Sequence, residues 1–177
     1  GRFMQFIEAL KLKSKLFFLF MLITLGLILV GVMGYLNINS MKKNLDALYF
    51  GSLIPVIELN EIVQIYHGSI ANTIYKARIS QISSSQTTSE IENALLKIDM
   101  QWRSYESHFK RDEELQYVQY SALEIKSTND YFKKLLQGIL SGQSIEQISM
   151  ETFEKKIEHI HTTIKKLIKY EVETAKY

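Results

Sequence analysis

Residues 16–36 form an uninterrupted apolar run, and this run limits the possible folds more than any other part of the sequence. It contains no charged side chain. As an α-helix it would be about 31 Å long, which matches the hydrocarbon core of a bilayer. We therefore predict a transmembrane helix over residues 16–36, with the lipid bilayer as one partner of the chain.

The basic residues around this run predict its orientation. Lys42 and Lys43 are the first basic residues after it, whereas four precede it, namely Arg2, Lys11, Lys13 and Lys15. Positive charge beside a membrane span favours the cytoplasmic side. We predict a cytoplasmic stub over residues 1–15 and an extracytoplasmic domain over residues 37–177. A cleaved signal peptide is the alternative, but the apolar region of a signal peptide is usually shorter than this run.

The composition of residues 37–177 favours one helical domain. About 140 residues suffice for a single buried core. This part carries 17 Lys+Arg against 18 Asp+Glu, so no surplus of positive charge favours nucleic acid as a partner. The absence of cysteine excludes disulfides and thiolate metal sites. A single proline argues against a turn-rich β fold, and the absence of a nucleophile or phosphate-binding motif argues against an enzyme.

Apolar residues at helical spacing predict four helices. In the second of them, residues 91, 95, 98, 102, 105 and 109 are separated alternately by four and three positions, the spacing of a left-handed helix bundle. Ser89 and Glu92 form a possible capping box at its start. The predicted helices cover about 37–82, 89–110, 112–141 and 145–177. The predicted fold class is all-α: an antiparallel up-down four-helix bundle, preceded by one transmembrane helix continuous with its first helix.

Several of these stretches resemble the sensor region of bacterial methyl-accepting chemotaxis receptors. Residues 44–49 (NLDALY) and 53–62 (LIPVIELNEI) are similar to a Leu-Tyr and Leu-x-Pro segment of that family, and residues 167–175 are similar to its final helix. The resemblance implies the input fragment of a longer receptor in the bacterial inner membrane. The same module is found on membrane histidine kinases and cyclic-dinucleotide enzymes, and nothing in this sequence separates these outputs.

The resemblance also implies a binding site and a partner. The family forms parallel homodimers through the first bundle helix, and ligands bind near the distal tip between the first and fourth helices. The candidate ligand, a carboxylate or an amino acid, would displace the fourth helix and so signal across the membrane. By helix length, the residues of this chain at that level are Asn72, Tyr75, Lys76, Arg78 and Ile79, facing Thr152, Phe153, Lys155 and Lys156.

Other polar and aromatic positions indicate structural roles. No metal or cofactor is expected from the four histidines (His67, His108, His159 and His161), because His159 and His161 point in different directions on one helix and a sequence without cysteine has no haem-attachment motif. Asn129 interrupts the third apolar stripe and either fixes helix register or lines a ligand cavity. Pro55 predicts a kink in the first helix. Trp102, Tyr105 and Phe109 indicate packing at the end of the second helix.

One further function stays open at this point. The bundle could be a membrane-anchored scaffold that binds an extracytoplasmic protein instead of sensing a small molecule. The two functions differ at the distal tip, where a sensor needs a pocket and a scaffold needs an exposed apolar patch.

Overall fold

The computed structural model describes residues 2–9, 11–48, 53–108 and 110–174. Helices account for nearly all of these residues, and no strand occurs among them. The chain divides into two compact units, Gly1–Asp46 and Ala47–Tyr177. This division places the predicted membrane segment and the predicted bundle in separate units.

The described part of the first unit consists of helices, and none of its described side chains is buried. Helix α1 covers Arg2–Ala9 and α2 covers Leu12–Leu48. Within α2, the segment Leu12–Asp46 is long and apolar enough to cross a bilayer, with a mean hydropathy of 2.8 in its most apolar window, and none of that window is buried. A fully exposed apolar helix needs an apolar environment, so this segment is consistent with the predicted membrane span.

The second unit is a four-helix bundle. Its first helix is built from α3 (Ile54–Gln64), a π-helical segment (Ile65–Ile70) and α4 (Ala71–Arg78). Helices α5 (Ser84–Ser107), α6 (Asp112–Leu140) and α7 (Met150–Thr174) follow, with a short 3₁₀ turn (Ile145–Gln147) before the last. Helix α3 packs against α5 and α7, and α6 packs against the same two helices. Short connections between consecutive helices give the antiparallel up-down order, and the predicted fold class is confirmed.

The helix bounds differ from the predicted ones by four or five residues at three places. Helix α5 begins at Ser84 instead of residue 89, because the Ser83 side chain caps it by accepting from the Gln86 N–H. The hydroxyls of Thr87 and Thr88 donate hydrogen bonds to backbone carbonyls one turn earlier, so residues 84–88, which lie between two predicted helices, are the first turn of α5. Residues 89–92 therefore lie inside α5 and do not start it.

The first and fourth bundle helices also end differently from the prediction. Helix α4 stops at Arg78, short of residue 82, and Ser80 follows with a φ of 60°, a left-handed conformation that reverses the chain. Helix α7 begins at Met150 instead of residue 145, and the Ser149 hydroxyl accepts from the Thr152 N–H at its start. A left-handed backbone conformation ends α4, and a side-chain cap starts α7.

Pro55 lies in the first turn of α3. A proline at this position costs no helical hydrogen bond, because the first N–H groups of a helix have no partner within it. The predicted kink in a continuous helix would fall at residues 49–52, which lie outside the described residues. The predicted continuity between the apolar helix and the bundle falls there as well, and Phe109 is also outside the described part of the chain.

The core consists of one cluster that runs along the bundle axis. Its centre is aromatic: the rings of Tyr66 and Phe132 lie 6.4 Å apart, and those of Phe132 and Phe153 lie 6.0 Å apart. The buried Tyr66 hydroxyl donates a hydrogen bond to the Asn129 Oδ1 at 2.5 Å. Asn129 therefore satisfies a buried hydroxyl between the first and third bundle helices, and it also lines a cleft between α5 and α6.

The π-helical segment follows from the spacing of the core residues. Ile62, Tyr66, Ile70 and Ile74 succeed one another every four residues, and each is at most 1% exposed. An α-helix has 3.6 residues per turn, so a stripe with this spacing would rotate away from the core by about 40° at each step. The π-helix has wider turns, and a π segment over Ile65–Ile70 keeps all four side chains directed at the core.

Candidate functional site

The tip of the bundle is the end where α4 ends, α5 begins, α6 ends and α7 begins. It contains part of the predicted binding site. The Tyr75 ring lies edge-on to the ring of Phe153, with centroids 6.3 Å apart. The Tyr75 hydroxyl donates to the Glu154 Oε1 at 3.1 Å. Phe153 is buried and Tyr75 is 45% exposed, so the pair forms an aromatic wall between α4 and α7 that solvent can reach.

Arg78 connects the first bundle helix to the segment before α7. Its Nη1 donates to the Ile148 carbonyl at 3.2 Å, and the remaining guanidinium donors are free of side-chain hydrogen bonds among the described residues. Arg78 also lines a polar cleft of about 620 Å³ between residues 77–84 and 139–146. An arginine with unused donors at the edge of a polar cleft can hold a carboxylate through two parallel hydrogen bonds.

Asn72 and Lys76 lie away from this group. Both line a groove between the first bundle helix and α5, in which the Thr73 hydroxyl donates to the Glu90 Oε2 at 3.0 Å. Tyr75 and Phe153 do not line this groove. The structure therefore divides the predicted α4 residues between two faces of the same helix.

The predicted α7 residues are divided in the same way. Lys156 points toward α6, where its Nζ lies 5.9 Å from the centre of the Tyr131 ring. Lys155 forms an exposed ion pair with Glu151 one turn earlier, and the Thr152 N–H is used at the helix start. Ile79 is exposed just beyond the end of α4. Of the predicted set, the structure brings together Tyr75, Phe153 and, at the same end, Arg78.

The electrostatics of the tip combine a cation with a carboxylate. The pKa of Tyr75 is raised by loss of solvation and by the Glu154 carboxylate that accepts its hydrogen bond, so Tyr75 stays a neutral donor. Glu154 was not among the predicted residues. No local motif indicates it, because its contact with Tyr75 depends on the rotation of α7 relative to α4. With Arg78 and Glu154, the tip offers groups that attract a carboxylate and an ammonium.

Each histidine among the described residues faces a side chain on another helix. His159 lies 2.6 Å from the Glu124 Oε2 on α6, and His108 lies 2.8 Å from the Glu58 Oε1 on α3. The second contact is not aligned for a hydrogen bond, so it is an ion pair only when His108 is protonated. The rings of His67 and His161 lie 5.1 Å apart across the π segment and α7. No group of three histidine, aspartate or glutamate side chains suited to a metal ion occurs in the described part.

The base of the bundle, where α5 and α7 end and α3 and α6 begin, contains a buried polar group. The Tyr105 hydroxyl donates to the Glu171 Oε1 at 2.7 Å, and the Lys110 Nζ lies 3.8 Å above the Tyr105 ring. Glu114 is also buried there and accepts from the Arg111 N–H. Burial raises the pKa of Glu171 more than its hydrogen bond to Tyr105 lowers it.

Comparisons with known proteins agree with this architecture. A family model described as a four helix bundle sensory module for signal transduction matches residues 9–177. The methyl-accepting chemotaxis protein NahY of Pseudomonas putida is 26% identical over 142 residues, which are 80% of this chain. The chain spans about a quarter of the length of that relative, with 26% of it covered. No solved structure matches the chain significantly.

These comparisons confirm the resemblance to the sensor region of chemotaxis receptors, and they identify a family of sensors instead of enzymes. The apolar helix in the first unit is consistent with a receptor of the inner membrane. Since the family model covers nearly the whole sequence, the chain belongs to the family of four-helix-bundle sensory modules for signal transduction.

Proposed function

We propose that the bundle is the extracytoplasmic input domain of a chemotaxis receptor and that it binds a small molecule at its tip. The family and the named relative support a role in chemotactic signalling. The excess of basic residues before the apolar helix supports a cytoplasmic N-terminus and a bundle on the outer face of the inner membrane. Chemotaxis as the output of the whole receptor is likewise part of this proposal.

The hydrogen bond between Arg78 and the Ile148 carbonyl carries the ligand proposal. It joins the first bundle helix to the segment just before α7, and its donor lines the polar cleft at the tip. Glu154 accepts a hydrogen bond from the Tyr75 hydroxyl. Tyr75 in turn lies one helical turn before Arg78 on α4. The ligand class is a small molecule with a carboxylate for Arg78 and an amino group for Glu154, as in an amino acid.

Signalling requires that the ligand prefer one of two arrangements of the bundle. A carboxylate that binds the Arg78 guanidinium competes with the Ile148 carbonyl for its donors. Occupancy would therefore favour an arrangement in which the start of α7 is released from α4. A shift of α7 along the first bundle helix by an ångström or two is a known form of such a transition.

A thermal-melt screen of the whole chain in detergent tests this proposal. Trp102 is the single tryptophan and is buried in the bundle, so its fluorescence follows the bundle and not the apolar helix. A ligand at a hundred times its Kd should stabilise the bundle by about 2.7 kcal/mol, which raises the Tm by several degrees. The panel contains amino acids, carboxylates without an amino group, amines and purines.

Arg78→Ala should weaken binding of the active compound about tenfold to a hundredfold, because a charge-assisted hydrogen bond contributes about 1.5–3 kcal/mol. Arg103→Ala is the matched control, since Arg103 is an exposed arginine paired only with Asp99 on the same helix. Unchanged affinity in Arg78→Ala would contradict the site. The absence of any ligand effect would favour the scaffold function, with a protein as the partner.

The receptor is also proposed to be a parallel homodimer through the first bundle helix. An outer stripe on this helix contains Leu53, Ile57, Gly68 and, just past its end, Ile79. The three apolar side chains are between 48% and 66% exposed. A Cβ at Gly68 would lie 3.8 Å from the Gln64 side-chain oxygen, an ordinary contact, and glycine there permits close approach of a second helix. Burying this stripe against a second copy would remove apolar surface from water.

A further inference from the structure

His67 and His161 are the two histidines of the chain that face each other. His67 lies in the π-helical segment and His161 lies on α7, with ring centroids 5.1 Å apart and ring planes at 64°. The Nδ1 of His161 is buried and has no hydrogen-bond partner. A buried imidazole nitrogen without a partner is unusual, because its desolvation is not compensated by a hydrogen bond.

The distance between the two rings agrees with joint coordination of a metal ion. With metal–nitrogen bonds of about 2.1 Å and a tetrahedral angle, the centroids of two imidazoles on one ion lie about 5 Å apart. His67 lies in the π segment, and π segments are frequent at functional sites. Geometry, the unpartnered nitrogen and the location all favour a site between these helices.

We propose that His67 and His161 bind one divalent transition-metal ion, of the Zn²⁺, Ni²⁺ or Cu²⁺ type, between the π segment and α7. Imidazole nitrogen is a preferred ligand of these ions. Since no third histidine, aspartate or glutamate completes the site within the described residues, water would occupy the other positions. His67 is exposed, so the ion can enter from solvent.

The protonation state of His161 suits this role. Metal ions bind the neutral imidazole. Burial lowers the pKa of His161, and the neighbouring His67 and Lys165 lower it further, while Glu158 acts in the opposite direction. Near neutral pH, His161 is therefore available as a ligand. The proposed site does not depend on the small-molecule ligand at the tip.

Titration of the untagged full chain in detergent with ZnCl₂ or NiCl₂ tests the site. We expect one ion per chain by isothermal titration calorimetry and a rise in Tm of several degrees at saturation. His67→Ala and His161→Ala should each abolish both effects, because a single imidazole holds the ion weakly. His159→Ala is the matched control, since His159 lies on the same helix but contacts Glu124, and it should keep both effects. MgCl₂ should have no effect, because Mg²⁺ prefers oxygen ligands.

Two neutral imidazoles packed edge to face would show the same ring distance, and the titration separates that case from a metal site. The absence of binding by Zn²⁺ and Ni²⁺ would overturn the proposal. Binding that persists in both His67→Ala and His161→Ala would place the ion elsewhere and overturn it too. Each variant is first melted without metal, and both are expected to unfold cooperatively, since neither histidine belongs to the apolar core.

Discussion

Glu171 is 3% exposed and lies among aromatic side chains at the base of the bundle, with its carboxylate bonded to the Tyr105 hydroxyl. Burial is the main cause of its raised pKa, and the buried Glu114 adds to the effect. Lys110 and Arg111 oppose it without reversing it. The ionised form of Glu171 is therefore less favourable in the folded chain than in the unfolded chain.

This raised pKa predicts the direction in which stability changes with pH. Between the ordinary glutamate value of 4.5 and the raised pKa of Glu171, the folded state holds a proton that the unfolded state has lost. The contribution of Glu171 to stability is therefore complete below this window and is lost as the pH rises through it. Glu171→Gln should raise the Tm at pH 8 and leave it almost unchanged at pH 4.

The measurement is a series of tryptophan-fluorescence melts of the full chain from pH 4 to pH 8. Glu173→Gln is the control, because Glu173 is two residues away on α7 and its side chain is exposed. A Tm of Glu171→Gln below that of the parent chain at pH 8 would show that the Lys110 and Arg111 attractions outweigh the burial of the carboxylate.

At the level of the helix, the π segment is the element whose origin in the amino-acid sequence is clearest. Four core residues at intervals of four require an average of four residues per turn over Ile62–Ile74, and the π segment supplies the extra width. Removing one outward-facing residue from the segment would return the spacing to four, three, four, which is regular α-helix. Gly68 is exposed and its absence removes no side chain from the core.

We expect deletion of Gly68 to preserve the bundle, with a Tm equal to or above that of the parent chain. Deletion of Asn93, an exposed residue in the middle of the regular helix α5, is the matched control. It should lower the Tm sharply, because it rotates one half of the apolar stripe by about 100° relative to the other half. Loss of cooperative unfolding after Gly68 deletion would show that the π segment is itself required for folding.

The helices could be predicted from the sequence because their apolar stripes are long and regular, but their ends could not. The end of α4 depends on Ser80 adopting a positive φ, and the start of α5 depends on which of several serines becomes the cap. Several neighbouring residues could satisfy the same cap pattern, so the sequence alone does not choose among them. The interval of four that produces the π segment is visible in the sequence of α3 and α4.

At the level of the whole molecule, the outer stripe on the first bundle helix predicts how two copies meet. The chain has no cysteine, so a single introduced cysteine reports only on its own position. Ile57→Cys in the full chain should form a disulfide-linked dimer under mild oxidation, because a parallel pairing brings the two copies of this position close together. The readout is non-reducing gel electrophoresis.

Leu123→Cys is the control for this experiment, since Leu123 is an exposed apolar residue on α6, away from the stripe. Random collision would link both variants equally, which would contradict dimerisation through the first helix. Cross-linking of Leu123→Cys alone would place the dimer contact on α6.

The candidate site could be predicted only in part, because it depends on how distant helices pack against one another in the whole molecule. Helix length correctly placed Tyr75 and Phe153 at the same height, and the two rings are in contact. Height along the bundle says nothing about which face of a helix a residue occupies, so Asn72 and Lys76 turned out to line the groove toward α5. Glu154 and the convergence of His67 with His161 depend on packing between distant segments, which no local pattern reveals.

The π segment also determines how the two ends of the first bundle helix are related in angle. One residue of an α-helix corresponds to about 100° of rotation and about 1.5 Å of length. If the six residues Ile65–Ile70 changed from π to α geometry, α4 would turn by about that angle relative to α3 without any residue being added or removed. The winding of this one segment therefore sets the angle between the tip and the base of the helix, and the π winding is the one that directs the core residues of both halves at the core.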